Sequence, residues 1–201
     1  MWLVFLEIGY KVSKGCVFVK LLVASDIHGS LSAARHVVEA FEKEQADYLV
    51  FLGDVMYHGP RNPLPDEYNP SEVARLLNTI KNKIIAVRGN CDSEVDQMLL
   101  EFQITADYQN IPLPSNRLFA THGHIFEPET IPASVKRGDI FAFGHTHIPV
   151  LEMEESGILV LNPGSAALPK QGHPPTYGIV SEKIVEIKTF DGNVYRAFAI
   201  S

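Results

Sequence analysis

The chain has 201 residues, of which 46% are hydrophobic and 20% charged, as is usual for a globular protein with one substantial core. The formal net charge of -7 argues against a protein that grips nucleic acid by its phosphates, although bound cations would still admit a phosphate substrate. The two cysteines, Cys16 and Cys91, are too few for a disulfide framework and indicate a reducing compartment, which we expect to be the cytoplasm.

The first 19 residues need an interpretation of their own. Met1 to Gly9 is apolar but short, contains Glu7, and lacks the basic residues and cleavage site of a signal peptide. It is also too short to span a bilayer. Two interpretations stay open: an added β-hairpin (Trp2 to Ile8, then Val12 to Val19), or an extension that contributes little, which is slightly favoured. We therefore predict an N-terminal extension over residues 1–19 and a single domain over residues 20–201.

Short apolar runs alternate with helical patterns through most of the domain. Leu21 to Ala24 is brief, apolar and followed by a turn signal, which is typical of a buried strand. Further strands are predicted at 48–52, 84–87, 117–120, 139–143 and 157–161, with helices at 31–41, 71–80 and 95–99. The tail alternates apolar and polar residues, which predicts antiparallel strands at 177–180, 184–187 and 194–200. Strands that alternate with helices indicate one α/β domain.

Polar residues follow five of the predicted strands where each strand ends. Asp26 and His28 lie two positions apart after the first strand, so that their side chains point to the same side. The later strand ends carry Asp54, Asn90, His122, His145 and His147. Oxygen and imidazole ligands without thiolate favour Mn²⁺, Fe or Zn²⁺. Seven ligands suit two ions that share a carboxylate, for which Asp54 is the candidate.

These motifs, in this order, resemble the series found in calcineurin-like metallophosphoesterases. The matching motifs are Asp26-x-His28, Gly53-Asp54, Gly89-Asn90-x-Asp92, His122-Gly123 and Gly144-His145-x-His147. Three further segments are similar to small bacterial phosphodiesterases of the YfcE type: Asn90 to Asp92, His58 to Asn62, and Asn162 to Ser165. The last of these is expected to form a tight turn, with Asn162 or Ser165 at most lining the rim of the site.

The resemblance implies a four-layer αββα sandwich, in which two mixed sheets are flanked by helices and a dinuclear site lies at one edge. By position, it assigns Asp26, His28 and His147 to one metal, Asn90, His122 and His145 to the other, and Asp54 to both. The implied reaction is in-line attack of a metal-bound hydroxide on a small phosphodiester. Mn²⁺ is the expected metal, with Zn²⁺ or Fe as alternatives. Neither nucleic acid nor a membrane is expected as a partner, and self-association stays open.

One position departs from the family pattern. The family usually has a histidine after the asparagine, whereas this chain has Cys91, whose thiol is a weak hydrogen-bond donor without positive charge. We therefore expect that Cys91 assists the departure of poor leaving groups less than a histidine would, or that Asp92, His124 or His58 protonates the leaving oxygen instead. A cysteine-phosphatase role is rejected because the Cys-x5-Arg pattern would need arginine where Gln97 stands. A purely packing role for Cys91 is equally open.

Other functions remain as alternatives. A phosphomonoesterase or a nucleotide pyrophosphatase would use the same metals. A non-catalytic protein-binding scaffold of the retromer-subunit type is disfavoured because it has no need of all seven ligands. A DNA nuclease is disfavoured by the acidic charge and by the lack of room for a cap domain. Within an esterase, Arg61 and His58 are the candidate contacts to the substrate.

Overall fold

A computed structural model describes residues 19–200 and, before them, the backbone of two short strands. These strands, β1 (Val12–Ser13) and β2 (Cys16–Val17), pair in antiparallel fashion. Apart from Val19, the rest of the predicted extension, including the Trp2 to Ile8 arm of the hairpin, lies outside the described residues, so the division at residue 19 stays a prediction. Within the part of the chain that is described, no helix is long and apolar enough to cross a membrane.

Fourteen further helices and strands follow in the described chain. In chain order they are β3 (Leu21–Ala24), α1 (Leu31–Glu44), β4 (Tyr48–Phe51), α2 (Pro70–Asn78), β5 (Ile84–Ala86), α3 (Glu94–Leu99), β6 (Tyr108–Pro112), β7 (Arg117–Thr121), β8 (Ile140–Ala142), β9 (Pro149–Met153), β10 (Leu159–Pro163), β11 (Thr176–Val180), β12 (Ile184–Thr189) and β13 (Val194–Ala199). Short 3₁₀ turns lie at Lys81–Lys83 and Pro128–Thr130.

Two mixed sheets contain these strands. The six-stranded sheet has the order β13-β12-β11-β3-β4-β5, in which β3, β4 and β5 are parallel and the three tail strands are antiparallel. The five-stranded sheet has the order β6-β7-β8-β10-β9, in which β7, β8 and β10 are parallel. The antiparallel tail predicted from its alternating pattern is confirmed, and it extends the six-stranded sheet beyond β3.

Side chains that alternate along β3 separate two hydrophobic cores. Leu21 and Val23 face the five-stranded sheet, whereas Leu22 and Ala24 face the helices, and all four are buried. Because neighbouring residues of a strand point to opposite faces, a continuous apolar run is what a strand covered on both sides requires. The same alternation in β4 and in β7, β8 and β10 places the two sheets face to face.

Helices cover one side of this sandwich and an irregular segment covers the other. Helix α1 begins at the cap Ser30, whose hydroxyl accepts a hydrogen bond from the N–H of Ala33, and it packs on the six-stranded sheet with α2. On the outer face of the five-stranded sheet, Phe119 and Phe141 are buried beneath a stretch that includes Ile131 and Val135. The predicted two-sheet sandwich is confirmed, although its α-helices all precede β6 in the described chain.

Two strands are absent from the sequence prediction, and one predicted helix exposes apolar residues. Strands β6 and β9 were not predicted, and both form edges of the five-stranded sheet. Edge strands tolerate proline and polar residues, so Pro112 in β6 and Pro149 in β9 weaken the strand pattern. Helix α3 is confirmed, and its apolar residues Val95 and Met98 are 64% and 81% exposed.

The end of α1 is tied to the tail strands through Glu44. Its carboxylate accepts hydrogen bonds from Lys20 at 2.7 Å, from Tyr177 at 3.0 Å and from Lys188. Partial burial would raise the pKa of Glu44, but the hydrogen bonds from the two lysines and the tyrosine lower it to about 2. The ionised carboxylate therefore stabilises the fold at neutral pH.

Replacement of Glu44 by glutamine is expected to lower the free energy of unfolding by about 2 kcal/mol at pH 7. Because the folded pKa lies below the ordinary value of 4.5, this difference should shrink as the pH falls from 4.5 towards 2. Urea unfolding of the wild type and of Glu44→Gln between pH 7 and pH 2 measures this difference in the free energy of unfolding. Glu72→Gln, which removes an exposed pair with Arg75, is the control and should have little effect. A Glu44→Gln penalty independent of pH would contradict the assignment.

Candidate metal centre

The carboxyl ends of both sets of parallel strands lie at one edge of the sandwich. The seven predicted ligands follow β3, β4, β5, β7 and β8, and the structure brings all seven side chains into one cluster. Ligands in open α/β sheets collect at this edge because the loops that follow parallel strands converge there. The cluster adjoins a cleft of about 470 Å³.

One half of the cluster joins Asp26, His28 and His147. The Oδ1 atom of Asp26 lies 3.3 Å from Nε2 of His147 and 3.6 Å from Nε2 of His28. This oxygen is buried and has no hydrogen-bond partner among the described residues. The two Nε2 atoms are 3.2 Å apart. A carboxylate oxygen and two ring nitrogens thus face a common point.

The other half of the cluster contains Asn90, His122 and His145. Nε2 of His122 lies 3.1 Å from Oδ1 of Asn90 and 3.3 Å from Nδ1 of His145. Asp54 lies between the halves, since its Oδ2 atom is 3.4 Å from Nε2 of His122 and 3.7 Å from Nε2 of His28. The shared carboxylate expected from the sequence has this central position.

Backbone carbonyls set the orientation of three of the imidazoles. Nδ1 donates to Tyr57 O in His28 (2.8 Å), to Leu52 O in His122 (2.6 Å) and to Leu168 O in His147 (2.6 Å). A proton on Nδ1 leaves the Nε2 lone pair directed at the cluster, the arrangement usual for metal-binding histidine. Lone pairs that face each other repel unless a cation lies between them. The donor set and the orphaned carboxylate oxygen therefore fit divalent metal ions.

Charges within the cluster favour ionised carboxylates. Burial would raise the pKa of Asp26, but the close imidazoles of His147 and His28 hold it well below its usual range. Burial would lower the pKa of His122, but Asp54 and Asp26 raise it to about 9. The negative charge of two neighbouring carboxylates thus draws cations into the site.

Backbone strain is concentrated in the same residues. Five of the predicted ligands adopt left-handed conformations, with positive φ angles at Asp26 (57°), His28 (47°), Asp54 (54°), His145 (64°) and His147 (62°). A left-handed L-residue costs about 1 kcal/mol, although Asp and His tolerate it better than most residues. Strain of this kind clusters at functional sites, where the surrounding structure enforces it.

Asp92 helps to hold these strained residues in place. Its carboxylate accepts hydrogen bonds from the backbone N–H groups of Asp54 (2.8 Å), Val55 (2.8 Å) and Gly89 (2.7 Å), and so joins the ends of β4 and β5. Both of its oxygens are therefore engaged with the backbone. The proton-donor role expected for Asp92 stays a prediction without a contact that supports it.

The end of β10 and the residues that follow it, from Asn162 to Ser165, also hold the strained loops in place. Asn162 donates to Gly144 O at 2.8 Å and to Thr146 Oγ1 at 3.0 Å, and Ser165 donates to Asp26 O at 2.7 Å. Both side chains are fully buried. The sequence predicted a tight turn with Asn162 or Ser165 at most at the rim of the site, whereas the structure places Asn162 in β10 and both side chains beneath the loops that carry the predicted ligands. The sequence pattern did not reveal this depth in the fold.

The remaining predicted site residues occupy different positions around the cluster. Cys91 and Arg61 line the cleft. Burial and the charge of Asp54 raise the pKa of the Cys91 thiol to about 12. His124 is exposed beside His122, with ring centroids 5.3 Å apart. His58 packs between two tyrosine rings, at centroid distances of 4.8 and 5.2 Å.

Lys170, which sequence analysis did not single out, also lines the cleft. It lies more than twenty residues beyond His147, in a loop without a motif, so only the folded chain reveals its position.

Residues 19–183 match the family described as the calcineurin-like phosphoesterase superfamily domain. The chain belongs to this superfamily. The resemblance predicted from the metal-binding motifs is therefore confirmed, and the chain is a phosphoric ester hydrolase.

Relatives from bacteria and archaea agree with the superfamily assignment. The phosphodiesterase YfcE of Escherichia coli (strain K12) is 52% identical over 169 residues, which cover 84% of this chain and 91% of YfcE. The solved structure of this E. coli phosphoesterase matches with a TM-score of 0.88 at 49% identity, covering 91% of this chain and all of the other. The phosphodiesterase MJ0936 of Methanocaldococcus jannaschii is 27% identical, covering 85% and 97% of the two chains.

Substitution of Gly89 by alanine tests whether the backbone positions Asp54. A Cβ atom at Gly89 would lie 2.1 Å from Oδ1 and 2.3 Å from N of Asp54, so the carboxylate must move. We expect affinity for Mn²⁺ to fall by roughly tenfold or more, as for other supporting residues of metal sites. Calorimetric titration measures this affinity, with circular dichroism as a check of folding.

Gly138→Ala is the matched control. Its backbone has a φ of +90°, so alanine is strained there, but nothing lies within 4 Å of the added Cβ. Metal affinity should stay at the wild-type level in this variant. Equal affinity in wild type and in Gly89→Ala would show that the close packing at Gly89 does not govern Asp54.

Proposed function

We propose that the chain is a metal-dependent phosphodiesterase whose dinuclear site is formed by the seven predicted ligands. The observation that carries the proposal is the central carboxylate of Asp54, which lies within 3.7 Å of one imidazole from each half of the cluster. Asp26, His28 and His147 would hold one ion, and Asn90, His122 and His145 the other. The names of the relatives YfcE and MJ0936 support the reaction class.

Two divalent cations bound there would activate a water molecule and neutralise charge on the phosphate oxygens. The chain's own residues preorganise the site for this task. The carbonyls of Leu52, Tyr57 and Leu168 orient three imidazoles, and the N–H of Cys91 donates to Oδ1 of Asp54 at 2.8 Å. The mixture of carboxylate, amide and imidazole ligands favours Mn²⁺, with Zn²⁺ or Fe as alternatives.

The thiol at position 91 favours diesters over monoesters. A monoester carries two negative charges near neutral pH and a diester carries one, and an imidazolium would help with the larger charge. A neutral thiol of Cys91 in the cleft supplies no positive charge. The alternative function is hydrolysis of phosphomonoesters or nucleotide pyrophosphates with the same metal ions. A non-catalytic scaffold is disfavoured because the ligand cluster is complete.

Residues around the cluster receive the supporting roles. Arg61 lines the cleft and is proposed to contact an anionic group of the substrate, for which its planar guanidinium is suited. His124 is proposed as the proton donor to the leaving oxygen, since it is exposed beside His122. Asp92 is proposed as an anchor of the two strand ends. His58 is proposed as a substrate contact only. Its ring packs between two tyrosines, so it is not proposed as the proton donor.

The cellular location and the partners of the enzyme are proposed from its composition. A cytoplasmic location is proposed from the small number of cysteines, and a small substrate rather than nucleic acid from the net charge of -7. Self-association stays open.

Substitution of Asp54 by asparagine tests the shared carboxylate. The amide removes the negative charge between His28 and His122, so bound manganese and hydrolysis of bis(p-nitrophenyl) phosphate should both fall, the latter by roughly a hundredfold or more. Metal content by mass spectrometry and initial rates measure these losses.

Asp191→Asn removes a carboxylate from the exposed turn between β12 and β13 and is the control. It should retain wild-type metal content and turnover, and circular dichroism should show both variants folded. Wild-type turnover in Asp54→Asn would refute the shared carboxylate, whereas a folded, metal-loaded wild type without esterase activity would favour the scaffold.

A further inference from the structure

The cleft beside the cluster contains two cationic side chains that are not among the predicted metal ligands. Arg61 and Lys170 both line it, and both are exposed. Neither has a carboxylate within 4.0 Å among the described residues. Asp54, a predicted metal ligand, is the only acidic residue among the described residues that line the cleft. Apart from this predicted ligand, the cleft therefore presents positive side chains without a carboxylate to balance them.

The backbone at Lys170 is joined to the ligand cluster. Its N–H donates to the carbonyl of His147 at 3.2 Å. The chain then turns through left-handed residues, Gln171 with φ of 54° and Gly172 with φ of 76°, and the N–H of His173 returns to Lys170 O at 3.1 Å. The start of the lysine side chain is therefore fixed beside a predicted metal ligand while its charged end stays in solvent.

The reacting phosphate does not need this extra charge. Two divalent cations, the carboxylates of Asp26 and Asp54 and the attacking hydroxide would leave a net single positive charge at the cluster. A phosphodiester brings a single negative charge, so the cluster would already balance it. The cations of Arg61 and Lys170 are thus available to a different group of the same substrate.

We propose that Lys170, together with Arg61, binds a second anionic group of the substrate, and that the preferred substrates are phosphodiesters which also carry a terminal phosphate or carboxylate. Lys170 is then a specificity-determining residue rather than a catalytic one. The inference rests on the proposed phosphodiesterase function and narrows its substrate class.

A matched pair of substrates tests the inference. Thymidine 5′-(p-nitrophenyl phosphate) contains one diester, and its 3′-phosphorylated derivative adds only a second anionic group. With manganese-loaded full-length protein, kcat/KM should be roughly three- to tenfold higher for the 3′-phosphorylated ester, the range expected for one or two exposed ion pairs. The advantage should shrink as the salt concentration rises, because salt screens exposed charges.

The variant Lys170→Gln should bring the ratio of the two kcat/KM values close to one. Lys136→Gln is the control, because Lys136 lies outside the cleft and should preserve the ratio. An equal loss on both esters in Lys170→Gln would place the lysine on the reacting phosphate and overturn the proposal. So would a wild-type ratio of one.

Binding gives a readout that is independent of turnover. Calorimetry should show that wild type binds thymidine 3′,5′-bisphosphate more tightly than thymidine 5′-monophosphate, and that Lys170→Gln loses this difference. If neither ester is hydrolysed, the proposed function is wrong. The calorimetric comparison alone then tests whether Lys170 binds a second anionic group. Equal affinity of wild type for the two nucleotides would overturn the inference.

Discussion

Mutual repulsion among ligand atoms is the constraint around which this fold is arranged. Asp26 and Asp54 are almost fully buried, and the Nε2 atoms of His28 and His147 are 3.2 Å apart with their lone pairs facing each other. Such a group is costly to bury unless positive charge balances it. Hydrogen bonds to carbonyls behind the imidazoles prevent the rings from turning away. The cluster is therefore preorganised for cations.

Two sheets that face each other make this arrangement achievable. Parallel strands from both sheets end at one edge, which brings the predicted ligands from five different loops to a single place. The loops must turn sharply to do so, and five predicted ligands accept left-handed backbone conformations. Asp92 and Asn162, both buried, hold these loops with hydrogen bonds to the backbone and to Thr146. The hydrophobic core between the sheets thus supports strain that local interactions alone would not maintain.

The sequence predicted much of the fold because local patterns coincide with burial. Leu21 to Ala24 is apolar since the strand is covered on both faces, and the seven ligand positions stand out since metal-binding residue types follow several such strands. The edge strands β6 and β9 were missed because edges tolerate proline and polar residues. The depth of Asn162 and the place of Lys170 depend on packing between distant segments, which local patterns do not record. Helix α3 shows the converse, since its apolar residues Val95 and Met98 remain exposed.

The central claim is that two cations lie on either side of the Asp54 carboxylate. Anomalous diffraction at the manganese absorption edge, from crystals of the full-length protein grown with Mn²⁺, tests it most directly. The account predicts two anomalous peaks at this cluster, roughly 3.5–4 Å apart as in other two-metal sites, with Asp54 in contact with both. A single peak, or peaks remote from Asp54 at saturating metal, would contradict it.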